Sequence, residues 1–377
     1  MRRRVVVTGT GIVSGQGEGV AAHLEALAAG RTAPVGQERH SGYPVHPVVP
    51  LEWDRQIPKK SDQRQMEPWQ RLGCYAAGLA LEAAGLKDDP ALKARMQLIV
   101  AAGGGERDYE VDSQILTGLR DAASPGAYLN EHLMSDLRPT LFLAQLSNLL
   151  AGNIAIVHGI TGASRTFMGE EQAGIDALRI AEARIAAGQA EIMLVGSSYN
   201  AERPDVMLTY ELGGFYWNKP FRPVRDRAAE GGGFVLGSGA AFLVLESEQH
   251  AESRGAEARA MLAPVAAVRT RRGPGSVEAA VELCWRDLGT PSPDVVLSAA
   301  TGVAPATTEE HAALARLAPA ARVYDLGDLM GHLMEAPGPA GAVIATGLVA
   351  AGTARDVVTS CVGHRRGEGM VRVAAAR

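Results

Sequence analysis

The chain has 377 residues, 46% of them apolar, and a formal charge of −5, enough for two or three domains or one large duplicated one. With 37 Lys plus Arg against 42 Asp plus Glu, it lacks the basic surface that phosphate neutralisation requires, which excludes nucleic-acid binding as a first reading. Aromatics at 5% exclude a stacking-based binder, whereas 44 glycines and 63 alanines suit close packing of helices on sheets.

Short apolar runs alternate with Ala-rich helical stretches. Val5–Val7 predicts a strand and Ala21–Gly30 a helix ending in glycine. Asp54–Arg64 reads as a surface excursion, and Arg71–Gly85 as an amphipathic helix stopped by Gly85. Leu98–Ala102 is a buried strand running into three glycines, after which Gly103–Asp136 forms a long excursion with local helix. Ile175–Ala187 predicts a helix, and Ile192–Val195 the next buried strand. Phe234–Leu236 and Ala241–Leu245 bracket a hairpin by spacing. Continuous apolar strands interleaved with helices indicate an α/β layered core. A faint echo between Val5–Gly11 and Val295–Gly302, with the polar stretch Ala251–Pro274 between them, suggests two halves.

The remaining signals are mostly negative. Gly9-Thr10-Gly11 lacks the third glycine and the later acid of a dinucleotide fingerprint, so it reads as a tight turn. Gly231-Gly232-Gly233 lacks the Gly-Lys-Ser/Thr of a phosphate loop. The histidines have no metal spacing; His40 and His46 lie among prolines, where solvent exposure is expected, and no metal or cofactor is implied. Cys74, Cys284 and Cys361 form no CxxC, which fits a reducing, cytoplasmic setting. No signal peptide and no membrane-spanning run is expected.

The stretch from Ala151 to Gly196 carries the functional signal. It holds Gly162-Ala163-Ser164, Gly174 and Gly188, the last stopping the Ile175–Ala187 helix before the Ile192–Val195 strand. Phe221-Arg222-Pro223, the Gly233–Ala240 block, Leu243–Glu246, His250-Ala251, Arg254-Gly255-Ala256 and Met330-Gly331-His332-Leu333 follow. In these blocks the chain resembles the β-ketoacyl-acyl-carrier-protein synthases, condensing enzymes of the thiolase fold. The resemblance implies duplicated α-β-α-β-α layered halves with mixed five-stranded sheets. An N-terminal half with insertions would cover 1–250, and a C-terminal half 251–377.

The same resemblance implies a degenerate catalytic set. The family's nucleophilic cysteine falls on Glu171, its first histidine on Thr301 and its lysine on Gly327; only the second histidine remains, as His332. The glycine-rich gate becomes Val362-Gly363-His364-Arg365-Arg366. Acyl transfer from a thioester needs a thiolate activated at a helix N-terminus. A carboxylate is a poor acyl acceptor, and one hydroxyl at Thr301 replaces an oxyanion donor. Condensation by this chain alone is therefore not expected. Within the superfamily, chain-length factors also lack the cysteine, and Glu171-Gln172-Ala173-Gly174-Ile175-Asp176-Ala177 looks similar to their local pattern. This implies a non-catalytic subunit paired with an active, cysteine-bearing ketosynthase and served by an acyl carrier protein, in fatty-acid or polyketide elongation. The alternatives are an enzyme of altered thioester chemistry using Glu171 and His332, and a homodimeric carrier-binding module.

A buried Glu171 needs a basic partner, and His364, Arg365 or His332 are the candidates to plug the vestigial pocket. The family's two-fold pairing implies an interface at Ser164–Phe167. Leu141 and Phe142, within Pro139–Leu143, are candidate walls of the partner's acyl tunnel. Lys59, Lys60 and Arg64 are candidate carrier contacts or simply a solvated face.

Overall fold

The computed structural model describes residues 2–36, 40, 42–137 and 145–376. Leu141 and Phe142 lie outside the described residues. Ten strands form the main path of a twelve-stranded sheet. They are β1 (Val5–Ser14), β2 (Gln97–Ala101), β3 (Ser164–Phe167), β4 (Ile192–Tyr199), β5 (Gly239–Ser247), β6 (Ala260–Leu262), β7 (Val295–Ser298), β8 (Arg322–Asp325), β9 (Asp356–Val362) and β10 (Glu368–Ala374).

The order along the sheet is β8-β7-β9-β10-β6 followed by β1-β5-β4-β2-β3. In one set β3, β2 and β4 are parallel, and β5 and β1 follow antiparallel. In the other, β8, β7 and β9 are parallel, and β10 and β6 follow antiparallel. The same five-strand topology thus occurs twice, and the antiparallel pair β1·β6 joins the two edge to edge. The echo between Val5–Gly11 and Val295–Gly302 is not this repeat. β1 is the first strand of its set and β7 the second of its own; the counterpart of β7 is β2. A short apolar strand ending in turn residues looks alike wherever it occurs.

Period-two burial explains the layering. Ile99, Met193, Val195, Leu243, Leu297, Val357 and Val371 face a central core that also holds helices α2 (Glu171–Ala186) and α5 (Pro337–Ala350). Leu98, Val100, Leu194, Phe242 and Val244 face outward onto helix α1 (Pro68–Ala83). Val296, Val358 and Met370 do the same for α3 (Ser276–Asp287) and α4 (Ala306–Leu317). The result is the α-β-α-β-α sandwich. α5 is buried nearly all round, so no polar face marks it in the sequence.

Small residues let the central helices touch. A Cβ on Gly174 of α2 would collide with the Glu335 carbonyl and approach Pro339 Cδ at 2.8 Å. Gly174→Ala is expected to cost about 1–3 kcal/mol through overpacking, seen as a lower denaturant midpoint with an unchanged slope.

Two local expectations are corrected. Leu236–Gly237 forms no hairpin with β5; it pairs in parallel with Val45–His46. Its neighbours' amides are already committed, Gly237 N to His332 O at 2.9 Å and Ser238 N to His46 O at 2.8 Å. That pairing also buries His46. Its Nδ1 lies 3.1 Å from Ala33 O, its ring meets Phe221 edge-on, and burial lowers its pKa to about 4.

Candidate functional site

Glu171 is the first residue of α2, at the bend after β3. The helix N-terminus favours its negative charge, and the apolar face of α2 anchors it between the two sheets. Its side chain is buried. Two further segments converge on it. Gly331, at φ +77°, turns the chain out of a short helix, Leu326–Met330, and His332 N then bonds Val235 O at 2.8 Å. His332 Nε2 thereby lies 3.0 Å from Glu171 Oε1. The turn between β9 and β10 closes with Gly363 N donating to Gly367 O at 2.8 Å. It delivers His364, whose Nδ1 and backbone N sit 2.8 and 3.2 Å from Glu171 Oε1.

Aromatic walls hold His364 in place: Phe215, Tyr210 and Phe234 pack edge-on against its ring. Burial alone would raise the Glu171 pKa. The His364 charge and the hydrogen bonds from both imidazoles outweigh it and hold the carboxyl far below the usual range. Glu171 Oε2 is also buried and has no hydrogen-bond partner among the described residues; a Cβ on Gly363 would stand 3.1 Å from it. Arg365 goes elsewhere. Its Nη2 pairs with Glu170 Oε1 at 2.6 Å, and its guanidinium, largely exposed, covers Phe215.

The other family positions are closed. Thr301 is buried, and its Oγ1 accepts from Val303 N at 3.1 Å. Gly327 has no room for a long side chain, because a Cβ there would meet Val224 Cγ2 at 2.8 Å. The void between Gly327, His332 and Ala300 amounts to about 10 Å³. Cys361 belongs to a different strand from the bend, yet the fold brings its Sγ 3.9 Å from Glu171 O. Burial pushes its thiol well above the ordinary range, so it supplies no thiolate.

Glu170, Glu171 and His364 bring ligand atoms within 4.8 Å of one another. Arg365 neutralises Glu170 and two imidazoles contact Glu171 Oε1, while Glu171 Oε2 and His364 Nε2 have no hydrogen-bond partner among the described residues.

Sequence reasoning missed Glu170, Tyr210 and above all Glu335. This buried carboxyl has its pKa pushed up to about 8, first by burial and then by the charge of Glu171. Its signal was a lone acid in the otherwise apolar run Leu333-Met334-Glu335-Ala336-Pro337. Ser164 is exposed and Phe167 half-buried on β3, which ends the sheet. Among the described residues, no helix is long and apolar enough to cross a membrane.

The architecture is that of the thiolase-like ketosynthases. The ishigamide ketosynthase/chain length factor superposes with a TM-score of 0.82 over the whole of both chains at 22% identity. A β-ketoacyl synthase from Burkholderia phymatum gives 0.81 at 19% identity, again over both whole chains. The "Beta-ketoacyl synthase, N-terminal domain" family model matches residues 2–251. This chain belongs to the β-ketoacyl synthase family. It is 29% identical over 269 residues to 3-oxoacyl-[acyl-carrier-protein] synthase 2 of Vibrio cholerae, covering 68% of this chain and 61% of that protein. With the oxytetracycline polyketide putative β-ketoacyl synthase 1 of Streptomyces rimosus it shares 30% over 282 residues, 69% of this chain and 61% of the relative. The chain thus spans about three fifths of the length of these curated relatives.

Proposed function

We propose that this chain is a non-catalytic, chain-length-factor-like subunit that pairs with a cysteine-bearing ketosynthase in fatty-acid or polyketide elongation. One observation carries the reading. The helix N-terminus that would present a thiolate presents a buried carboxylate, clamped by His332 and His364. A carboxylate held in that state has no proton to donate and no open face for a thioester, which also disfavours acid–base chemistry through Glu171 and His332.

The sheet edge supports the partner. β3 pairs only with β2 among the described residues, and an open edge calls for a cover. Beside it, Ile156 and Met168 are 73% and 72% exposed. A facing ketosynthase would bury both. Lys59 and Arg64 are exposed and remain candidates to meet a carrier protein, whereas Lys60 is paired with Asp54 at 2.7 Å.

Co-expression with cysteine-bearing ketosynthases tests this reading. The expected result is a 1:1 complex with elongation activity and no condensation by the isolated chain. Turnover by the purified chain alone, or a homodimer that ignores every ketosynthase, would overturn it. Ile156→Asp with Met168→Asp should weaken the complex at least about tenfold through interface desolvation while leaving the folded subunit's thermal transition unchanged.

A further inference from the structure

The end of the sheet opposite β3 carries a cavity that the site around Glu171 does not use. It measures about 620 Å³, within the ~300–1,000 Å³ typical of small-molecule pockets. Three segments enclose it: the end of the helix Gly19–Ala29 with Gly30, Arg31 and Thr32, the stretch 223–226, and β8 with the short helix Leu326–Met330. β8 is the last strand at its end of the sheet and β3 the last at the other. A ketosynthase seated on β3 therefore leaves this cavity uncovered.

Part of the lining is apolar. Ala26, Leu27 and Leu329 are buried side chains that contribute to it, together with Pro223 and Val323. The charges around them do not cancel. Three carboxyls, Asp226, Asp325 and Asp328, share the lining with two guanidiniums, Arg31 and Arg225. Arg225 Nε gives itself to Asp325 Oδ2 at 2.9 Å, and His311 Nε2 sits 2.6 Å from Asp325 Oδ1. Arg31 pairs with Glu25 at 3.3 Å.

Asp226 and Asp328 are left over. Neither has an ion-pair partner among the described residues. Asp328 uses Oδ1 to accept from Val224 N at 2.6 Å. Burial and the Asp325 charge push its pKa up to about 6, as befits a carboxyl that lacks an adjacent cation. The helix Gly19–Ala29 points its C-terminal end at the same space, which adds about half a negative charge.

An anion would meet two unpaired carboxyls and a helix C-terminus, with both arginines already engaged. A neutral occupant would leave the carboxyls uncompensated, and a bare metal ion would make no use of the apolar surface. An ammonium on an apolar body answers both features.

We infer that this cavity is a binding site for an amphipathic amine, its ammonium held by Asp226 and Asp328 and its apolar body lying on Ala26, Leu27 and Leu329. The inference goes beyond the role in chain elongation and holds whether or not the chain pairs with a ketosynthase.

Phenethylamine and phenethyl alcohol make the test, because they share one skeleton and differ in the charged head. Titration of the full chain, followed by calorimetry or ligand-observed NMR, should show the amine binding about tenfold tighter, the worth of one net charge-assisted hydrogen bond. Hydrocinnamate, with a carboxylate head, should bind more weakly than the alcohol. Asp226 is exposed, so Asp226→Asn leaves the fold intact; Asp328→Asn keeps an oxygen for Val224 N. Each substitution should cut the preference for the amine severalfold while leaving the affinity for the alcohol unchanged. Should Asp328→Asn misfold, Asp226→Asn decides alone. Equal binding of amine and alcohol, tighter binding of hydrocinnamate, no binding of the amine at tens of millimolar, or a preference that survives the folded variants would each overturn the inference.

Discussion

Glu171→Ala will lower the stability of the isolated chain by about 1–3 kcal/mol for each buried imidazole left without its acceptor. His332 and His364 would keep their burial and lose the acceptor that both use, Glu171 Oε1 at 3.0 and 2.8 Å. Glu171→Gln should cost less, since its amide oxygen still accepts while the charge is gone. The two variants separate hydrogen bonding from charge through pH. The folded-state pKa of Glu171 is depressed from an ordinary 4.5, so its increment of stability is fully present above about pH 4.5 and lost as pH falls further. Wild type should therefore weaken on acidification below that point more steeply than Glu171→Gln. Denaturant midpoints between pH 3 and 7 measure this. Parallel profiles would show that the carboxylate is not the charged partner of the two imidazoles.

How much of this was legible from residues follows from where the information sits. The helix that carries Glu171 was readable in part, as Ile175–Ala187 with its glycine stop, whereas the bend and the place of Glu171 at the helix start, four residues earlier, came only from the family resemblance. His332 and His364 are 161 and 193 residues away in sequence from Glu171, and local pattern has no term for such distances; only the family resemblance brought them into the neighbourhood. It did not say that Arg365 would turn to Glu170, because neighbouring acids on one bend are equivalent in sequence and distinct only in depth. His46 was misjudged for the converse reason: prolines around it suggested a loop, and the parallel pairing of Val45–His46 with Leu236–Gly237 has no local signature. The helix Pro337–Ala350, apolar on every side, offered no periodicity to read.

Glu335→Gln is the second large expected effect, opposite in sign. Glu335 is raised to about 8 from an ordinary 4.5, so between those values the folded state holds a proton that the unfolded state has released. Stability must then fall as pH rises across that window and level off above about pH 8. Glutamine is close to isosteric with the protonated acid and does not titrate, so the variant escapes the fall. At pH 5 it should match wild type. At pH 8.5 it should be more stable by roughly 2–4 kcal/mol, taking 1.36 kcal/mol per pKa unit and discounting for relaxation around the ionised group. Equilibrium unfolding of both proteins from pH 5 to 9 gives the comparison, and a constant offset would mean that Glu335 ionises as freely in the folded chain as in the unfolded one.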